Sequence, residues 1–198
     1  MKTSLPKLTR SFLLLASCIC LMAPAFLAQN HLLLTEVTLA PDSAEFVEIY
    51  NPTMNSISLD NYFLADNVEY ALIASGTTNV INSDFIVQFP AGYNILPNQV
   101  IVVAIKGDYF TAYYGSGPDF EVVSQSASIP DMLPINVGVS PTLTNTGEGI
   151  ILFYWSGTTD LVSDVDMVNA GTPTIANKIA SKTGISVNAS TYLTDAGT

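Results

Sequence analysis

Residues 32–61, LLLTEVTLAPDSAEFVEIYNPTMNSISLDN, decide the fold. Leu32 to Leu39 is a strand-length run, apolar at its start and carrying Thr35-Glu36-Val37. Pro41-Asp42 marks a turn. Glu45-Phe46-Val47-Glu48-Ile49-Tyr50 is a second strand-length run rich in aromatic and β-branched residues, Asn51-Pro52 ends it, and Ile57 opens a third. β-Branched and aromatic residues favour the pleated chain, while Pro, Asn and Asp punctuate it. If the first two runs form an antiparallel hairpin about Pro41 to Ser43, Val37 lies near Val47. Glu36 then lies near Glu48 on the opposite face.

The same grammar continues on both sides. Strands are predicted at 32–39, 45–51, 57–64, 69–74, 85–89, 99–105, 149–155 and 160–168, and no sustained 3.6-residue period runs through them. Pro97-Asn98 is a turn into the run that begins at Gln99, because proline presets the φ of a first central turn position. Asn145-Thr146-Gly147-Glu148-Gly149 leads into Ile150, and Ser156-Gly157-Thr158-Thr159 joins the last two strands as a hairpin. One short helix is predicted at 108–114, ended by Gly115. Residues 116–141 read as a long loop with four prolines, and residues 169–198 as a loop-rich tail with weak strand signals at 184–187 and 190–193. Strand parity places Val37, Val47, Ile49, Leu64, Val102, Ala104, Ile151 and Phe153 toward the core. The fold class is all-β, an immunoglobulin-like antiparallel sandwich.

Four segments in order resemble the lamin-tail domain family: 32–62; Asn94-Ile95-Leu96-Pro97-Asn98-Gln99 with the strand after it; Phe110 to Gly115 with Pro118-Asp119-Phe120; and Leu143-Thr144-Asn145-Thr146-Gly147 into Leu152, followed by 160–168. The match covers roughly residues 32–168. Phe46 stands where a tryptophan is common, and the connections 65–93 and 116–140 are longer than usual. The resemblance implies an accessory module with no chemistry of its own, of the secreted bacterial type.

The first 28 residues read as a secretory signal. Lys2, Lys7 and Arg10 precede an apolar run, and small residues near 25–28 offer a cleavage site. Leu15-Ala16-Ser17-Cys18 is the rival pattern, which would place a lipid anchor on Cys18. On the signal reading one domain spans 29–198, secreted and extracellular. Both cysteines leave with the signal, and three lysines (Lys106, Lys178 and Lys182) remain against seventeen acids, a net −14. Such a chain repels nucleic acid and anionic lipid and suits protein or glycan partners at the cell surface.

Catalysis has little to work with. The thiols are gone, there is no Gly-x-Ser-x-Gly elbow, and the one histidine, His31, lies by the new N-terminus. The expected answer is therefore no enzyme and no cofactor. Two carboxylate sets are the candidates for a metal ion, with Ca²⁺ the fitting cation for oxygen-only ligands. One is Glu36 with Glu48. Like charges across a ladder need an offset: a lysine, a backbone donor, a shared proton or a metal. A carboxylate-based hydrolase would use the same pair. The other set is Asp160, Asp164 and Asp166, the last two on one side of a regular strand; a solvated strand face is the plainer reading. Tyr109, Phe110, Tyr113, Tyr114 and Phe120 form an aromatic cluster, either core packing or a platform for sugars.

Overall fold

The computed structural model of the chain describes residues 29–159, 162–172 and 190–192. The segment 1–28 that reads as a signal, Cys18 within it, and Asp160 lie outside them.

Two sheets carry the architecture. The first has the order β1-β2-β7-β8, formed by β1 (Leu33–Thr38), β2 (Phe46–Tyr50), β7 (Val100–Lys106) and β8 (Phe120–Val123). The second has the order β12-β11-β10-β4-β5-β9, formed by β4 (Tyr62–Ala65), β5 (Phe85–Gln88), β9 (Leu133–Val137), β10 (Gly147–Tyr154), β11 (Val162–Gly171) and β12 (Ser190–Tyr192). A small ladder joins β3 (Ile57–Ser58) to β6 (Asn94–Ile95). Pairing is antiparallel except for β7 with β8 and β11 with β12. The fold is an all-β sandwich, as the sequence predicts.

The hairpin forms in the predicted register, with Val37 opposite Val47 and Glu36 opposite Glu48. The Pro97 turn also forms. The Gln99 N–H donates to the Leu96 carbonyl at 3.0 Å, and Asn98 takes the positive φ of 59° that a type II turn needs after its proline. Asn51 anchors the neighbouring loop from a fully buried position. Its amide nitrogen donates to the Asn55 and Ile95 carbonyls, and its oxygen accepts from the Thr53 N–H and hydroxyl.

Between the sheets, Val47, Ile49, Ile101, Val103 and Phe120 meet Leu64, Phe85, Val87, Ile150 and Leu152. The second sheet is also covered on its outer face. There Phe63, Ile86, Ile151 and Phe153 pack under Tyr70, Ala71 and Ile73. These three belong to a 3₁₀ helix, Tyr70–Ser75, where a strand was expected at 69–74. Two alanines weaken the strand reading, and Gly76 closes the turn in the left-handed region at φ 67°. The double cover corrects four core assignments. Ile151 and Phe153 are buried, but in this outer layer. Val102 and Ala104 likewise face outward, toward helix α1 (Gly107–Tyr114). Strands buried on both faces carry no parity signal.

Residues 116–141 hold β8 and β9 rather than one loop. Strand β9 is an edge strand and contains Pro134, which edges tolerate. Its Leu133 and Ile135 are exposed.

Candidate functional site

The outer face of the first sheet gathers two of the sequence's candidates. Glu36 is exposed and Glu48 half-buried, side by side across the ladder. The register shifts between Leu34 and Glu36, so Thr35 is an extra residue and is exposed beside Glu36. Its hydroxyl donates to Glu48 Oε1 at 2.6 Å. Glu48 is thus held by a hydrogen bond within its own sheet, the arrangement of a structural pair satisfied by hydrogen bonds.

The second carboxylate set is split. Strand β11 has an irregularity opposite Leu152 and Phe153, where Val165 is the extra residue between Asp164 and Asp166. Asp164 is buried and accepts from the Tyr70 hydroxyl at 2.7 Å, on the outer layer's side. Asp166 turns toward the first sheet, where its Oδ2 accepts from the Leu34 N–H at 2.7 Å. The expectation that the two point the same way fails because one inserted residue inverts a period of two. Asp164 ties the 3₁₀ helix to its sheet, and Asp166 stitches β11 to β1. Among the described residues, no group of three or more His, Cys, Asp or Glu side chains is placed to hold a metal ion.

The aromatic cluster divides by helix geometry. Phe110 points down and is buried with Phe46 and Ala104, and Phe120 lies in the inter-sheet core. Tyr109, Tyr113 and Tyr114 stay in solvent at 51, 57 and 43% exposure. They form a ridge on α1. Tyr113 and Tyr114 meet edge to face at 4.9 Å, and Lys106 Nζ sits 5.8 Å from the Tyr109 ring centre. A shallow hollow of about 210 Å³ lies among Tyr109, Ala112, Tyr113 and Ser43. Ser43 comes from the β1–β2 turn, and the Tyr114 hydroxyl reaches the Ala44 carbonyl of that turn at 3.4 Å.

Of the buried carboxyls that the sequence reading does not single out, Glu121, Asp66 and Glu45 matter most here. Glu121 is fully buried on β8 and fully used: it accepts from the N–H groups of Gly107, Gln125 and Ser126. It thereby serves an orphan donor at the start of α1, whose own cap position, Lys106, has no side-chain capping bond. Asp66 is 3% exposed. Its Oδ1 accepts from the Phe85 N–H at 2.6 Å, and Oδ2 has no hydrogen-bond partner. Burial holds it well above the usual carboxylate range, against the Phe85 bond, with Asp84 and Glu148 adding to the rise. Glu45 is 1% exposed. Its Oε1 accepts from the Leu143 N–H at 3.1 Å, and Oε2 has no partner. Burial raises its carboxyl to about 8, helped by Asp42 and opposed by the Leu143 bond and Lys106. The signal for Glu45 was present: it shares its parity with Val47 and Ile49.

An apolar groove of about 430 Å³ lies between β8 and β9, lined by Val122, Met132 and Val137 among others. No helix among the described residues is long and apolar enough to cross a membrane.

No family model and no curated protein matches the sequence. Among solved structures, the chain is similar to a DUF4876 family protein from Bacteroides thetaiotaomicron, a crystal structure at 2.50 Å. The two share 16% identity with a TM-score of 0.49, over 64% of this chain and 43% of that one. The chain therefore spans less than half the length of this neighbour. A likeness so distant carries no argument about activity and does not single out the lamin-tail family.

Proposed function

We propose that this chain is a non-catalytic binding module, lamin-tail-like in plan, that acts outside the cell through the tyrosine ridge of α1. The observation that carries this reading is the division of the aromatic cluster. Phe110, with Tyr114 packed against it at 4.5 Å, secures the helix to the sheet, while Tyr109 and Tyr113 on the same eight-residue helix are left in solvent beside a hollow. Tyrosine offers a rigid apolar face with a polar rim at low entropic cost, the property that makes it common in contact surfaces. The acidity of the chain turns polyanions away, so the ridge suits neutral partners such as sugar rings or a protein surface. The carboxylates named as a hydrolase pair give that rival little support, since Glu36 is exposed and Glu48 is engaged by Thr35. The segments that resemble the lamin-tail pattern fall on β1 to β3, β6 to β8, β10 and β11, which supports the module reading.

The test is binding of the purified chain to bacterial envelope fractions and to an array of neutral oligosaccharides, beside a Tyr109→Ala/Tyr113→Ala variant with an unchanged melting temperature. The variant should lose at least about tenfold in affinity, because stacked aromatic anchors carry a disproportionate share of contact energy. Equal binding by parent and variant would remove the ridge from the interface.

A further inference from the structure

We propose that Glu45 is a proton-dependent latch on the wall of the tyrosine ridge, so that the shape of the contact surface is set by pH. The inference rests on the ridge being the binding surface, and it adds the regulation of that surface.

The geometry is a chain of contacts through one turn. Ser43 lines the hollow with Tyr109 and Tyr113, and the next carbonyl, that of Ala44, accepts from Tyr114. The next residue is Glu45. Its backbone carbonyl accepts from the Ile105 N–H at 3.1 Å, and its side chain runs inward to the Leu143 N–H. One side of the turn thus faces the ridge and the other ends in a buried carboxyl with an orphaned oxygen. The groups that face this carboxyl are Asp42 from the turn, Lys106 from the end of β7 and the Leu143 N–H from the segment before β10. Tyr114 from α1 approaches the turn at Ala44. Asp42 is itself held by the Asn145 side-chain amide at 3.1 Å.

In the acid form Glu45 is neutral: Oε1 keeps the Leu143 bond, and the orphaned Oε2 costs less as an uncharged hydroxyl than as a carboxylate oxygen. Loss of the proton places a charge in a dry site with one donor, an acidic neighbour and a single facing lysine. A buried carboxylate without full partners is relieved by admitting water or by moving. The turn can yield at its tip, where Pro41 and Asp42 are exposed, by giving up the exposed Asn145–Asp42 bond and the bond from the Ala44 N–H to the Pro41 carbonyl. Its movement takes Ser43 and the Ala44 carbonyl away from the ridge. Burial raises the Glu45 carboxyl to about 8, so the change falls in mildly alkaline solution.

The experiment is an NMR titration of the full chain without ligand, from about pH 5 to about pH 9, following the Glu45 carboxyl carbon and the ring signals of Tyr109 and Tyr113. Both should move together with a midpoint near 8. Glu45→Gln should hold the ring signals at their low-pH positions across the range. Asp42→Asn should keep the step and lower its midpoint, because it removes a neighbouring negative charge; an unmoved midpoint would count against the latch even if Glu45→Gln failed to fold. A Glu45 carboxyl that titrates in the ordinary carboxylate range overturns the proposal. So does one that titrates near 8 while the rings stay still. Since no ligand is used, failure of the latch leaves ridge binding standing, and failure to find a ligand leaves the latch standing.

Discussion

At the scale of single residues, Glu36 and Glu48 face each other on a ladder where like charges repel, and the Thr35 hydroxyl supports only Glu48 directly. Glu36→Gln should therefore stabilise the fold by about 0.5 kcal/mol at low ionic strength, and the gain should shrink in high salt. Urea unfolding at two salt concentrations reads this; a variant no more stable than the parent at low salt would show the repulsion to be already relieved. Glu45 gives the opposite kind of prediction. Burial pushes its folded carboxyl up to about 8 from the ordinary 4.5, so the native state holds a proton that the unfolded chain has released between those values. Its contribution is complete below about 4.5 and is lost as pH rises through about 8. Glu45→Gln should remove that slope and leave the variant more stable than the parent by a few kcal/mol at the alkaline end. Parallel unfolding curves at acid and alkaline pH would check it, and an identical pH slope in both proteins would refute it. The Glu36–Glu48 pairing was legible because register follows from a turn and a period of two. The partners of Glu45 were not, because Leu143 lies 98 residues away along the chain.

At the scale of elements, the start of α1 depends on a glycine for a reason unrelated to φ. A Cβ on Gly107 would collide with the Glu121 carboxylate and with Ile129, which approach the bare backbone. Gly107→Ala should cost about 1–3 kcal/mol, the usual penalty of overpacking, although alanine is the better helix former. Thermal melting measures it; a neutral or stabilising alanine would mean that Glu121 can swing aside without loss. The helix itself was legible from its aromatic spacing and Gly115. The carboxylate beneath it was not, since Glu121 sits in a segment whose prolines read as loop. The same limit explains the 3₁₀ helix. Its Tyr70, Ala71 and Ile73 cover Ile151 and Phe153, and that second layer makes β10 apolar on both parities. Alternation reports a face only when the other face is wet. In β11 one extra residue, Val165, was enough to send Asp164 and Asp166 to different layers, and a bulge has no signature in a run of alternating residues.

At the scale of the whole molecule, charge decides more than shape. With seventeen acidic residues against six basic ones in the full sequence, the chain should show no salt-sensitive DNA binding at micromolar concentration in a gel-shift assay. A retarded band that disappears with added salt would contradict this. The sandwich class was legible because the apolar bursts after residue 28 are strand-length and bounded by turn residues. The pairing order of ten strands in two sheets was not, because it is written in contacts between distant segments. Strand β9 shows what such an order obliges a chain to manage. It leaves Leu133 and Ile135 on an open edge, the arrangement from which fibrils grow by adding strand upon strand. Pro134 takes one donor out of that five-residue edge, and the slip in register near Ile135 bends it. Pro134→Thr should restore the donor and turn the edge into a template. The variant should fold and then aggregate on storage, with thioflavin fluorescence rising where the parent stays clear. A variant that stays clear would place the protection in the bend alone. On this account the proline contributes to colloidal lifetime, a property measured in days on the shelf and invisible in any melting curve.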